Sequence, residues 1–212
     1  MPARIRHLPD QLVNQIAAGE VIERPASALK ELIENSLDAD ASRISVDLAE
    51  GSLSGLTVSD DGAGMAHDEL ILAVQRHATS KLPHDNLVDI QFFGFRGEAL
   101  PSIGSVSKLR LFSRQHADLH GWALTVKHGN ADEPEPAAGE RGTRIEINDL
   151  FASVPARLKF MKTQKTEAGQ CYDVVRRFAM SRPDVSFILT DSGRTVLQPV
   201  SYTHLRAHET VV

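Results

Sequence analysis

Residues 25–39 read PASALKELIENSLDA, and the reading of this stretch decides the fold. Pro25 suits the first turn of a helix, where its missing N–H costs nothing, and Ser27 is a candidate cap. Leu29, Leu32, Ile33 and Leu37 recur at helical spacing and form an apolar stripe. Glu31, Glu34, Asn35 and Asp38 fall at i, i+3, i+4 and i+7, so three acids and an amide share one face. Like charges at that spacing repel unless something positive, such as a divalent ion, sits among them. The same pattern also describes a solvated acidic face, and spacing alone leaves both readings open.

Upstream of this helix, Pro9 to Ala18 carries Leu12, Val13, Ile16 and Ala17 at helical spacing, which predicts a short helix ending at Gly19. Downstream, Ile44, Val46 and Leu48 alternate with polar residues, and Leu56-Thr57-Val58 repeats the alternation after a turn from Gly51 to Gly55. The resulting hairpin feeds Asp60-Asp61-Gly62-Ala63-Gly64. A helix is expected from His67 to His77, then a long polar, glycine-bearing loop from Thr79 to Gly97, of the kind compact domains keep for function. A short helix over Glu98 to Ile103 follows, its length complicated by Pro101. Strands are expected at Val106–Phe112, Trp122–Lys127 and Thr143–Ile147, the last two separated by a flexible stretch from His128 to Gly142. A helix over Thr166–Met180 and a strand pair, Val185–Thr190 and Thr195–Leu197, complete the chain. Hairpins outnumber crossovers, so the expected fold class is α/β: a two-layer sandwich with a mixed, mostly antiparallel sheet and the helices on one face.

The 212 residues carry 23 Lys and Arg against 28 Asp and Glu, a net charge of −5. Nucleic-acid contact must therefore come from a local basic patch, and a histone-like or ribosomal-tail protein is excluded. The 42% hydrophobic content fills a sizeable core. The lone Cys171 forms no internal disulfide and no thiolate zinc cluster, which predicts a cytoplasmic, non-redox chemistry. No run approaches the roughly 20 apolar residues of a membrane span, and the first 20 residues lack a signal-peptide core.

Three constellations could carry chemistry. The acidic helix face could serve a metal. At the end of a strand, Asp60 could accept a hydrogen bond from an exocyclic amine, while Gly62 and Gly64 let a flat ring lie against the backbone; an ordinary Asp-Gly turn has the same letters. Gly94-Phe95-Arg96-Gly97-Glu98-Ala99-Leu100 runs a glycine-flanked loop into a helix start, where free N–H groups and the helix dipole attract phosphate, or where the loop merely caps its helix. It lacks the Lys-Ser/Thr ending of a Walker loop. Together these describe a nucleotide site assembled without a P-loop.

The same residues carry a resemblance. The run from Leu12 to Ser27, with Lys30-Glu31-Leu32, Glu34-Asn35-Ser36-Leu37-Asp38-Ala39, His77-Ala78-Thr79-Ser80-Lys81 and Gly94 to Leu100, resembles the amino-terminal ATPase region of the MutL family of mismatch-repair proteins. The wider superfamily of Hsp90, type II topoisomerase ATPase subunits and histidine kinases shares the Asn helix and the Asp-x-Gly-x-Gly turn, but not the Gln15 to Pro25 block.

The resemblance implies a Bergerat-type ATP-binding fold with ATP and Mg²⁺ as cofactors. Glu31 would be the general base that activates the attacking water, and Asn35 would bind Mg²⁺ bridging the phosphates. Asp60 would take the adenine amine, with Gly62 and Gly64 shaping the pocket and Thr143 supporting it from a neighbouring strand. Thr79 to Gly97 would be the lid, bringing Thr79, Gly94, Phe95, Arg96, Gly97 and Glu98 near the phosphates; Lys81 reaches the nucleotide or stays a solvated lid lysine. Residues 1–19 would be an arm within a homodimer interface formed on ATP binding. Arg157, Lys159, Lys162 and Lys165, four cations without an acid, would contact DNA, or form a solvated basic loop. The implied partners are mismatched DNA, a mismatch-recognition protein of the MutS type, and a strand-discrimination nuclease and helicase; the implied setting is the bacterial cytoplasm and nucleoid, with no membrane.

Departures from the family pattern are specific. Asp61 stands where many relatives have Asn, and Ala152-Ser153-Val154 where relatives often have an aromatic and an Asn-Thr pair. The ATP-binding domain is expected over 1–199. Residues 200–212, with a His204/His208 pair, do not resemble the family's continuation and read as a disordered tail. The family's second ATPase subdomain, which supplies a lysine to the γ-phosphate, and its carboxy-terminal dimerisation domain have no counterpart after Pro199, which predicts weak or absent turnover by this chain alone. Two other functions compete: another ATPase of the superfamily, such as a chaperone or topoisomerase subunit, and a non-enzymatic DNA- or partner-binding scaffold.

Overall fold

The computed structural model describes residues 7–52, 54–76, 78 and 97–198. His77, Thr79, Lys81, Gly94, Phe95, Arg96 and the 200–212 tail lie outside the described residues.

Helix α1 spans Asp10–Val21 and helix α2 Pro25–Asp38. Strands β1 (Arg43–Ala49) and β2 (Gly55–Asp60) form the first hairpin, joined through a 3-10 turn at Glu50–Ser52. Helix α3 (His67–Ala73) and helix α4 (Ala99–Val106) precede strands β3 (Lys108–Arg114), β4 (Gly121–Lys127), β5 (Asn130–Ala131), β6 (Glu135–Ala137) and β7 (Gly142–Asn148). Helices α5 (Pro155–Leu158) and α6 (Gln164–Ser181) lead to strands β8 (Ser186–Asp191) and β9 (Arg194–Leu197).

Among the described residues the strands form one sheet in the order β5-β4-β3-β7-β2-β1-β8-β9, with β6 also on β4. Of these pairs only β1 and β8 run parallel, and a parallel neighbour needs a crossover, which α6 supplies. The sheet is the expected mixed, mostly antiparallel one.

Register places the core on one face. Val46 pairs with Val58, Val58 with Ile145, Ile145 with Leu111 and Leu111 with Leu124, so five buried side chains line up across five strands. Ser45, Asp47, Thr57, Ser59, Arg144, Glu146 and Arg110 alternate with them onto the other, solvated face. Helix α2 packs against β2, α4 against β3 and β4, and α6 against β8. Leu29, Leu32 and Ile33 of α2 are no more than 1% exposed; each contributes roughly 1.5–3 kcal/mol by leaving water.

Local expectations are corrected in several places; helix α3, expected to reach His77, ends at Ala73 with Val74 in its cap position. Helix α1 does not end at Gly19 but continues to Val21, because Ala18 and Ile22 are both wholly buried and the turn between them is held from outside. Ser27 does not cap α2: Arg24 occupies the cap position, in an extended conformation and without a side-chain cap bond. Helix α4 runs past Ile103 to Val106, since Pro101 lies in its first turn, where no intrahelical N–H is lost. The stretch 128–142 is not a free loop, because β5 and β6 fold back and pair with β4.

Candidate nucleotide site

A second row of side chains crosses the sheet on its helix-covered face. Ile44 pairs with Asp60, Asp60 with Thr143, Thr143 with Ser113 and Ser113 with Trp122. An apolar alternation thus ends, strand by strand, in a polar row at one end of the sheet, beside the carboxyl end of α2.

Asp60 is its centre. Its Oδ1 accepts from the Gly62 N–H at 3.0 Å and the Thr143 N–H at 3.2 Å, and its Oδ2 accepts from Ser36 Oγ, on α2, at 2.7 Å. Burial pushes the carboxyl above its ordinary value and the neighbouring Asp61 charge adds to that, while the three donors pull the other way and favour the charged form. Oδ2 keeps lone-pair capacity for one more donor, which is what an exocyclic amine requires.

The turn after Asp60 is tied to α2 by Ala63 N–H, which donates to the Ala39 carbonyl at 2.9 Å. Gly64 adopts a φ of +72°, and a Cβ there would stand 2.7 Å from the Arg114 carbonyl carbon, so only glycine fits. Thr143 Oγ1 and Ser113 Oγ lie 2.9 Å apart, and Ser113 Oγ accepts the Met65 N–H at 2.8 Å. Ser36 and Ser113, 3% and 0% exposed, are site residues that sequence reasoning missed. Both carried a signal. Ser36 is a hydroxyl on the sheet-facing side of α2, and Ser113 extends the inward alternation of Leu109 and Leu111.

Asp61 does a separate job. Its Oδ1 accepts from the Ser42 and Arg43 N–H groups at 2.8 and 2.7 Å, and its Oδ2 from Ser42 Oγ at 2.7 Å. Burial acts to raise its carboxyl, but these bonds outweigh it and hold the group below its ordinary value. Asp61 thereby organises the turn into β1.

On α2, the face expected to hold three repelling acids is less charged than its letters. Glu34 is nearly buried and its carboxylate pairs with Lys30 Nζ at 2.7 Å, one turn back. Lys30 Nζ also lies 3.7 Å from Glu31 Oε1. Glu31, Asn35 and Asp38 are half-exposed on the remaining face. Gly97 and Glu98 stand at the start of α4, with Glu98 in its cap position and Gly97 at a φ of +60°.

The basic stretch divides in two. Lys159, Lys162 and Lys165 are exposed. Arg157 instead turns inward: its Nη1 donates to the Ile22 carbonyl at 2.8 Å and its Nη2 to the Gly19 carbonyl. A cavity of about 320 Å³ lined by Pro25, Ser52, Leu150, Leu158, Met161 and Lys162 opens at the amino end of α2, opposite to Asp60.

A one-faced mixed sheet with a half-buried carboxylate at a strand end, a glycine turn and an Asn-bearing helix defines the class: an ATPase domain of the histidine kinase-, DNA gyrase B- and HSP90-like family, whose sequence model matches residues 22–149. The chain is 61% identical to the DNA mismatch repair protein MutL of Paramagnetospirillum magneticum over 91% of its own length and 32% of that protein's. It is 58% identical to the MutL of Rhodospirillum rubrum, over 90% of its length and 30% of the relative's. The solved Aquifex aeolicus MutL ATPase domain complexed with ADP superposes with a TM-score of 0.70 at 31% identity, covering 87% of this chain and 67% of that one. Within the class, then, the chain belongs to the MutL family, as its amino-terminal ATPase domain. It spans about a third of the length of the MutL proteins it matches.

Proposed function

We propose that this domain binds ATP with Mg²⁺ and hydrolyses it in the service of DNA mismatch repair. The observation that carries the reading is Asp60: a half-buried carboxylate, held by three donors and keeping one acceptor position, at the edge of a glycine turn. An adenine amine donated to Oδ2 would complete its hydrogen bonding, with Thr143 and Ser113 fixing the strand ends beneath the ring. The ADP complex of the Aquifex relative supports the ligand class.

The donor set also fits Mg²⁺. Among the described residues no group of three His, Cys, Asp or Glu forms a protein cage, and Glu34 is committed to Lys30. Asn35 would contribute one amide oxygen, which suits an ion that keeps its waters and is held chiefly through phosphates. Once bound, Mg²⁺ would neutralise charge on the phosphate oxygens. The protein's own part is to place Asn35 against the phosphates, to hold Glu31 one turn away as acceptor for the water's proton, and to present the Gly97–Glu98 helix start. Thr79, Lys81, Gly94, Phe95 and Arg96 would close over the nucleotide as its lid, ordering the arm and pairing two domains. Lys159, Lys162 and Lys165 would meet the phosphate backbone of DNA, and the paired state would recruit a MutS-type protein, nuclease and helicase in a bacterial cytoplasm. Turnover by this chain alone is expected to be slow.

Titration calorimetry with a non-hydrolysable ATP analogue and Mg²⁺ tests the core of this reading. Binding by the folded chain that Asp60→Ala abolishes supports it; absence of any heat from the folded parent chain overturns it.

A further inference from the structure

Helix α1 has an unusual terminus. Gly19, one of the poorest helix formers, sits inside its last turn and is buried. The space beside it is filled by Arg157 of helix α5: a Cβ at Gly19 would stand 2.6 Å from Arg157 Cζ and 2.9 Å from Nε. The guanidinium lies against the carboxyl end of α1, donating to the carbonyls of Gly19 in its last turn and of Ile22 in its cap position, where a helix leaves carbonyls without intrahelical partners and a cation is favoured. Behind it, Arg157 Cζ stands 5.6 Å from the Phe151 ring centroid. Phe151 is wholly buried, and its N–H donates to the Val106 carbonyl, the last residue of α4, at 2.7 Å.

One short segment, from Phe151 to Arg157 of α5, therefore ties two helix ends. Arg157 holds α1 where it passes through Ile22 into α2, the helix of Glu31 and Asn35, and Phe151 holds α4, whose other end begins at Gly97–Glu98. Helix α1 also packs on α4, and Arg76 Nη2 donates to the Asn14 carbonyl at 3.2 Å. The first cation of the basic stretch is thus spent on protein carbonyls.

We infer that Arg157 is a positioning residue of the nucleotide site. It locks the carboxyl end of α1 against the 151–157 segment that is bound to α4, and so fixes the joint between α1 and the two helices that face the phosphates, and Gly19 is glycine to admit its guanidinium. The functional half of this inference rests on the ATP-binding reading; the lock itself does not.

The test is a double-mutant cycle on the full chain, read by hydrogen exchange of amides 17–22. Arg157→Ala should speed their exchange at least tenfold. Gly19→Ala, although it raises helix propensity, should also speed it by evicting the guanidinium, and the double variant should exchange more slowly than either single one. Arg157→Lys, which can reach one carbonyl, should fall between parent and Arg157→Ala. Affinity for an ATP analogue should drop about tenfold in both single variants while ADP affinity stays within twofold, since the Asp60 pocket is untouched. Slower exchange in Gly19→Ala, unchanged exchange in Arg157→Ala, or an equal rise through β1, β2 and β3 would each overturn the lock. Normal exchange results with equal losses of analogue and ADP affinity would overturn the positioning role. Should the parent bind neither nucleotide, the ATP reading fails while the exchange cycle still decides the lock.

Discussion

Ser36 Oγ donates to Asp60 Oδ2 across 2.7 Å, joining helix α2 to the end of strand β2. The bond fixes the helix of Glu31 and Asn35 relative to the carboxylate proposed to read adenine. Ser36→Ala removes a donor without changing backbone or volume by much. A neutral-to-charged bond of this kind is worth about 1.5 kcal/mol, so ADP affinity measured by calorimetry should fall roughly tenfold, with the fold retained by circular dichroism.

Asp60 should trade stability for binding. Its carboxyl is raised in the folded protein, so the stability it lends is present below the ordinary carboxylate value of 3.8 and is lost as pH rises through the folded value. At neutral pH the charged group is a cost. Asp60→Asn keeps an acceptor for Gly62 and Thr143 but points a donor where Oδ2 would take an amine. Its thermal midpoint at pH 7 should exceed the parent's, and the advantage should vanish in acid. Nucleotide affinity should fall about ten- to hundredfold, the value of one hydrogen bond to a charged group.

Asp61 has the opposite sign. Its carboxyl is lowered, so its contribution is present above the ordinary carboxylate value and lost as pH falls through the folded one. Asp61→Asn can still accept from the Ser42 and Arg43 N–H groups, and should bind nucleotide like the parent. Asp61→Ala strips three bonds from the turn and should lower the thermal midpoint by several degrees.

Glu31 and Asn35 should separate chemistry from binding. Glu31→Ala is expected to keep analogue affinity and lose turnover, by a factor of about 10² or more for a lost general base. Asn35→Ala should abolish the Mg²⁺-dependent part of binding. Equal turnover in parent and Glu31→Ala would remove Glu31 from the base role.

The exposed lysines predict a salt signature. Replacing Lys159, Lys162 and Lys165 by Ala should weaken duplex binding irrespective of sequence and flatten the salt dependence by about 0.9 for each phosphate no longer neutralised. An unchanged slope would mean that these lysines face only water.

Much of the fold was legible because its signals are local. The alternation of Ile44, Val46 and Leu48 and the stripe of Leu29, Leu32 and Ile33 mark elements whose partners need not be known. Errors arose where a distant group changed a local rule. Gly19 looked like a helix stop because nothing in residues 9–22 announces Arg157, and the 128–142 stretch looked unstructured because the strand it pairs with had to be placed first. The Glu34 charge is a different case: its partner Lys30 stands at i−4, so its neutralisation could have been read from spacing alone.

The sequence by itself determined the residue types at the nucleotide site and their order: a helix carrying Glu31 and Asn35, a strand ending in Asp60, a glycine turn. Only the tertiary structure decided which of them meet. Asp60, Thr143 and Ser113 share one row because β2 and β3 both pair with β7, and Ser36 reaches that row because α2 lies on β2. It likewise decided that Arg157 serves α1 while the lysines beside it stay in water. A hydrogen bond depends on distance and direction, and for residues tens of positions apart those are set by strand register and helix packing, which local periodicity does not encode.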